Sequence, residues 1–255
     1  MTPIRSSRIS MLAAACMIFA FSLPLAGCST TPRAGDPMAN GQPPSASELA
    51  ALGKAHAQAP GDIAKGMAFA AALRASGQAD QALDVMGGLA DRHPADAQLQ
   101  ATYGKALARE GRGAEAIAVL TGPALQSSKD ASIYSALGSA YDQAGAFREA
   151  RAAYAQALAL KPGDAATLNN SAMSHILQGD PAQAEALLRQ ALSGNGSRDP
   201  RVRQNLALAI GLQGRFDEAR EVASKDLPKA DVEANLAYLE QMLAQQDTWR
   251  QLKKG

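Results

Sequence analysis

The chain has 255 residues, a length of one or two domains, with aromatic residues at 4% and alanine abundant. Its 25 basic and 24 acidic residues nearly balance, and discounting Arg5 and Arg8 in an N-terminal leader leaves a charge of about −1. This excludes the basic footprint of a nucleic-acid binder. Both cysteines, Cys16 and Cys28, fall in the first 28 residues, which excludes a disulfide framework for the folded part.

Residues 1–27 read as a signal peptide. A short basic start is followed by an unbroken apolar run over 11–21, too short to span a bilayer comfortably. Cys16 belongs to that run. Leu25-Ala26-Gly27-Cys28 comes next and resembles a bacterial lipobox. The resemblance implies that Cys28 is acylated and becomes the mature N-terminus. The alternative is an ordinary secretory signal with an incidental cysteine. Lipoproteins of this kind carry three acyl chains, and two or more suffice for a stable membrane anchor. Ser29 stands where Asp commonly marks inner-membrane retention, so the resemblance further implies the periplasmic face of the outer membrane. Residues 28–44 include Pro32, Pro37, Pro43 and Pro44 and have almost no apolar content, so they cannot order themselves by burial. They form a tether, which could reach about 50 Å if extended.

Ser45-x-x-Glu48 is a capping box. A helix is expected from there to about Gln58. Pro60 precedes Pro94 by 34 residues, so residues 45–62 have the phase of a second helix without its first. This half-repeat suits the open end of a stack. Five units follow over 63–229, at 63–96, 97–130, 131–164, 165–199 and 200–229. Gly77, Gly111, Gly145, Gly179 and Gly214 recur at spacings of 34, 34, 34 and 35, where a chain leaves a helix through a residue that tolerates positive φ. Ala82, Ala116, Ala150, Ala184 and Ala219 keep the same period, at the point of closest helix approach. Gly122-Pro123 should end the second helix of the second unit early, and Pro228 should close the fifth. Residues 230–255 read as one long capping helix, with Leu236, Leu239, Met242, Leu243 and Trp249 toward the stack.

The unit at 131–164 carries the clearest motif. Tyr134, Leu137, Gly138 and Tyr141 stand at W-x2-L-G-x2-Y spacing, and Ala150, Tyr154, Ala157 and Pro162 complete an A-x3-F…P pattern. This is the tetratricopeptide signature, with Tyr in place of Trp and Phe. The expected fold is an all-α, right-handed superhelical solenoid of about five helix-turn-helix repeats with a C-terminal capping helix, because one helix pair cannot bury its apolar face alone.

Catalytic chemistry has no counterpart in the sequence. There is no phosphate-binding Gly-rich loop, no H-E-x-x-H and no G-x-S-x-G. His56, His93 and His175 lie in three separate units without ligand spacing. His175 stands where Tyr141 stands one repeat earlier and reads as a packing residue. Met67, Met86, Met173 and Met242 read as core or groove lining. No enzyme activity, cofactor, metal or small-molecule substrate is expected. The first helices of such stacks line a concave groove. Asn170 and Asn205 share the sixth position of successive first helices, and Asn235 joins them if the capping helix mimics a first helix. Asn169, Arg201 and Gln204 lie nearby. The set resembles the asparagine ladder with which some tetratricopeptide grooves hold an extended peptide, a carboxamide offering donor and acceptor together. The alternative is that these residues satisfy local inter-helix hydrogen bonds. Ser132, Ser135 and Ser139 hold the corresponding places in the third unit, so no basic clamp for a terminal carboxylate is formed.

The stretch RQNLALAIGLQGRFDEAREVASKDLP at 203–228, followed by EANLAYL at 233–239, together with the lipobox, resembles the tetratricopeptide lipoproteins of the Flp/Tad pilus assembly system, the TadD-like proteins. The resemblance implies a non-enzymatic lipoprotein that assists assembly of a pilus secretion apparatus, with partners such as its outer-membrane secretin. The alternative is a general periplasmic scaffold serving outer-membrane biogenesis or cell-wall enzymes.

Overall fold

The computed structural model describes residues 43–193 and 199–252, with side chains to residue 245. The lipobox, Cys28, most of the tether and the Trp249 side chain lie outside the described residues. Among those described are twelve α-helices and one 3-10 turn, with no strand. We number the helices α1 (Ala46–Gln58), α2 (Ile63–Ala75), α3 (Ala79–Arg92), α4 (Ala97–Arg109), α5 (Gly113–Leu120), α6 (Ala131–Gln143), α7 (Phe147–Leu160), α8 (Ala165–Leu177), α9 (Pro181–Ser193), α10 (Pro200–Gly211), α11 (Phe216–Ala223) and α12 (Lys229–Leu252).

Each repeat is punctuated by the same local chemistry. Asp62, Asp96, Asp130, Asp164 and Asp199 are the N-caps of the five first helices. Their carboxylates accept from the backbone N–H of Lys65, Leu99, Ser132, Thr167 and Arg201 at 2.9–3.0 Å. Such caps contribute about 1 kcal/mol each. First helices end at the glycines of positive φ. At Gly145 (φ 72) the chain reverses and the Ala146 N–H donates to Tyr141 O at 2.8 Å, closing a carbonyl the helix leaves open. Gly77, Gly111, Gly179 and Gly214 do the same.

The chain divides into two compact units between residues 129 and 130, whereas the sequence reads as one uninterrupted series of repeats. The division follows the place where a second helix is cut short. Pro123 cannot continue a helix, so α5 stops after eight residues and a 3-10 turn, Pro123–Leu125, buries Leu125 in its place. In the N-terminal unit α1 packs on α2, and α2–α3 and α4–α5 form helix pairs around Leu73, Leu83, Leu89, Leu99 and Leu107. Helix α1 has its capping box closed, with the Ser45 Oγ accepting from the Glu48 N–H and the Glu48 carboxylate accepting from the Ser45 N–H, but none of its residues is buried.

In the C-terminal unit the pairs α6–α7, α8–α9 and α10–α11 stack in order, and α12 closes on α11. Ala150, Ala184 and Ala219 are fully buried, as closest approach demands. At Gly138 a Cβ would lie 2.5 Å from the Tyr154 ring, so the aromatic at this place requires the glycine. Leu137, Ala157 and Tyr154 are buried, Tyr134 and Tyr141 half-buried, and Pro162 sits exposed in the turn after α7. The capping helix starts at Lys229, one residue earlier than the sequence indicates, because Pro228 already ends the preceding segment. It buries Val232, Leu236 and Leu239. That spacing matches Ile133, Leu137 and Ala140 of α6 and Val202, Leu206 and Ala209 of α10, so α12 packs with the face of a first helix. Met242 and Leu243 pack partly buried on the same core. Gly211 admits this helix: a Cβ there would lie 2.5 Å from Leu239.

Candidate protein-binding face

The candidate residues all fall in the C-terminal unit, on α8, α10 and α12, and the structure sorts them into three kinds. The first kind is a pair. The Asn205 Nδ2 donates to Asn169 Oδ1 at 2.7 Å, linking successive first helices. Position five of one first helix faces position six of the next, so Asn205 meets Asn169 rather than standing free beside Asn170. The bond is worth about 1 kcal/mol net. It fixes both carboxamides and leaves the Asn169 amide N–H and the Asn205 carbonyl oxygen without a protein partner among the described residues. The second kind is unpaired: Asn170 and Asn235 are half-buried, and their carboxamides make no hydrogen bond to described residues. The third kind is withdrawn from the face. Arg201 is exposed but paired with its own N-cap, its Nη2 at 2.9 Å from Asp199 Oδ2. Gln204 is buried, and its Nε2 has no hydrogen-bond partner.

The arginines around this face are similarly occupied. Arg203 grips Asp226 in a bidentate pair at 2.5 Å, and Arg220 bridges to Glu233 of α12 at 2.9 Å. Glu185 accepts from Gln213 Nε2, Arg215 Nη1 and Arg189 Nε at 2.7–2.8 Å. Burial works against its charge, but these hydrogen bonds outweigh it and hold the carboxyl below the usual range. This network ties α9 to the segment around α11 and serves the stack.

Sequence reasoning missed a polar cluster beneath the consensus repeat. Tyr154 donates from its hydroxyl to Asp142 Oδ2 at 2.9 Å, and Ser174 Oγ donates to Asp142 Oδ1 at 2.6 Å. Gln178 joins through Nε2 to the Ser174 carbonyl at 3.0 Å, and its own Oε1 accepts from Arg151. Burial pushes Asp142 up despite the bonds from Ser174 and Tyr154, and burial beside that carboxylate pushes the Tyr154 hydroxyl far up. A signal existed. Asp142 stands where other first helices carry Arg74, Ala108, Ile176 and Gly211, and Ser174 stands where they carry Ala72, Ala106, Ala140 and Ala209. Tyr154 replaces Met86, Leu120, Leu188 and Ala223, and only Tyr needs an acceptor.

The histidines have local roles. His175 Nδ1 lies 3.6 Å from Asp180 Oδ2, His93 Nε2 lies 2.8 Å from Gly61 O, and His56 packs against Phe69 at 6.0 Å. Among the described residues no group of three His, Cys, Asp or Glu could hold a metal ion, and no helix is long and apolar enough to cross a membrane.

The stacked helix pairs, the Asp caps and the positive-φ glycines meet an independent match. The tetratricopeptide repeat family model fits residues 73–140 and 143–208, more than half of the chain, and a second model of the same description fits 200–225. The chain belongs to the tetratricopeptide repeat family. No curated protein matches it in sequence. Among solved structures it is similar to TTC0263, a thermophilic tetratricopeptide protein of Thermus thermophilus, at 22% identity and a TM-score of 0.56 over 68% of this chain and 96% of that one. It is also similar to PilW, described as a widely conserved type IV pilus biogenesis factor, at 20% identity and 0.61 over 77% and 90%. A third is a chain of the APC/C hetero-tetramer Cut9–Hcn1, at 18% and 0.61 over 76% and 39%. At these identities the likeness concerns the fold. Tetratricopeptide repeats present stacked helices as protein-interaction surfaces, and that is the general function of this chain.

Proposed function

We propose that the protein is a non-enzymatic, lipid-anchored scaffold of a Flp/Tad-type pilus secretion apparatus, which holds an extended segment of a partner such as the secretin on the first-helix face of its C-terminal unit. The Asn169–Asn205 pair carries the binding part of this reading. The bond leaves one donor and one acceptor unused on neighbouring first helices, the two kinds of group that a peptide unit needs as partners. Helix packing already holds these groups, so little ordering is needed on binding. Acylation at Cys28 anchors the chain at the outer membrane, facing the periplasm, and the tether lifts the folded part off the lipid. The pilus assignment draws on the tail resemblance at 203–228 and 233–239. It agrees with the shared fold of PilW, itself a pilus biogenesis factor.

Crosslinking and pull-down from the cell envelope test the whole reading. Wild type should fractionate with the outer membrane and recover a secretin or another pilus component. Cys28→Ala should leave that fraction, and Asn170→Ala with Asn205→Ala should lose the partner while remaining folded. Recovery of outer-membrane biogenesis or cell-wall proteins instead would replace the pilus assignment with a general envelope scaffold. Unchanged fractionation of Cys28→Ala would refute the anchor.

A further inference from the structure

Among the described residues two buried side-chain polar atoms lack any partner, and one of them is Gln204 Nε2, on a residue only 8% exposed. Leaving a donor there destabilises the fold, since a buried unsatisfied amide loses its water without replacement. The position does not require it. Its counterparts in the other first helices are Met67, Ala101, Ser135 and Asn169, so apolar and small residues fit the stack. Asn169 shows what a carboxamide does at this position: it pairs with position six of the next first helix. By the same register Asn235 holds the position that would follow Gln204, since α12 buries the face of a first helix and its Leu239 lies against Gly211 of α10. Here the rung stays open, for Gln204 Nε2 is unbonded and the Asn235 carboxamide makes no bond to described residues. The chain supplies a reason. Asn170 and Asn205 are 35 residues apart, Asn205 and Asn235 only 30, because α11 stops after eight residues and brings α12 in on a shortened path.

We infer that Gln204 and Asn235 form an open rung that seats the backbone of an extended, uncharged segment of a partner protein, with a partner carbonyl accepting from Gln204 Nε2. The inference rests on the reading that the first-helix face binds peptide, and names the seat and the class of ligand. In the free protein the Gln204 amide stays buried and unpaired, and in the bound state its side chain turns outward to meet the partner carbonyl. The face is neutral, with Arg201, Arg203 and Arg220 each held by a carboxylate, so a charged segment would lose its hydration without a counter-charge. Tyr238, one turn beyond Asn235 and 44% exposed, gives an apolar side chain of the segment a surface beside the rung.

A random dodecapeptide library displayed on phage and selected on the full chain tests this. The recovered sequences should be poor in Asp, Glu, Lys and Arg, and a synthetic representative should bind with a Kd that changes less than about twofold from roughly 50 to roughly 500 mM salt. Gln204→Met should raise the unfolding midpoint and weaken that peptide about tenfold or more, and Asn235→Ala should weaken it without lowering the midpoint. Unchanged affinity in Gln204→Met, a lowered midpoint in that variant, or recovery of charged sequences overturns the inference. If the selected peptides ignore Gln204→Met but are lost on Asn170→Ala with Asn205→Ala, peptide binding by the face survives and the open rung does not. If no peptide is recovered, both fall.

Discussion

Two first helices of the C-terminal unit carry a polar side chain where the stack closes, and they treat it in opposite ways. On α6, Asp142 receives the Tyr154 and Ser174 hydroxyls, and Gln178 and Arg151 extend the set outward. On α10, Gln204 is more deeply buried and its amide receives nothing. A satisfied cluster locks neighbouring elements together, whereas an unsatisfied group is a cost that only another role explains. The consensus repeat is therefore the structural centre of the unit, and the divergent repeats after it hold the candidate recognition groups. Removing Asp142 is the strongest way to break this contrast. Asp142→Ala strands two hydroxyls and should cost about 2–4 kcal/mol, read by urea unfolding at neutral pH. A loss below about 0.5 kcal/mol would put the cluster on a par with ordinary surface substitutions.

The opposite sign is expected on α10. Gln204→Met keeps the side-chain length and removes the stranded donor, so it should stabilise the free protein by about 1 kcal/mol. Few substitutions in a well-packed stack stabilise it. If Gln204→Met and Asp142→Ala both destabilise, the two sites are alike and the contrast is lost.

Much of this architecture was legible in the sequence because repeat proteins restate their rules. The glycines at 34-residue spacing and the small alanines require particular backbone and contact geometry, and that requirement survives in each copy. The Asp caps at 62, 96, 130, 164 and 199 keep the same period but sit at unit boundaries, where a motif search centred on the helices does not look. The candidate face was harder. Asn169, Asn170, Gln204 and Asn205 all lie within the right stretch, yet a one-residue difference in helix position decides whether a carboxamide faces the next helix, the ligand or the interior. Side-chain length and a shortened α11 settle that, and neither leaves a periodic trace. The division of the chain after residue 129 is likewise a packing property that the unbroken repeat period conceals.

A smaller effect separates the two asparagines of the ladder. Asn205→Ala removes the bond to Asn169 and should cost about 1 kcal/mol. Asn170→Ala breaks no bond and should lie within about 0.5 kcal/mol of wild type. Both should weaken partner binding. Equal stability losses in thermal unfolding would show that Asn170 has a structural partner and would narrow the recognition set to Asn235 and Gln204.

The finest test uses protons. Burial raises Asp142 above the ordinary carboxylate range, against the bonds from Ser174 and Tyr154. Folding therefore favours the protonated Asp142 relative to the unfolded chain, and that contribution is complete below the unfolded value, about 3.9, and fades as pH rises through the folded one. Glu185 runs the other way. Its hydrogen bonds from Gln213, Arg215 and Arg189 prevail over burial, so its contribution is complete above the unfolded value and is lost as pH falls through the lower folded one. Urea midpoints between about pH 3 and pH 7 should thus diverge in opposite directions. Asp142→Asn should gain on wild type as pH rises, since wild type alone then carries the penalised charge. Glu185→Gln should fall behind wild type over the same rise, since only wild type gains the ionised hub between α9 and Arg215. Midpoints that track wild type at constant offset in both variants would mean that neither carboxylate feels its neighbours as the geometry requires. A constant offset in Asp142→Asn alone would leave the Tyr154–Asp142–Ser174 cluster a matter of hydrogen bonding without electrostatic consequence, and would confine the electrostatic work of the unit to its C-terminal half.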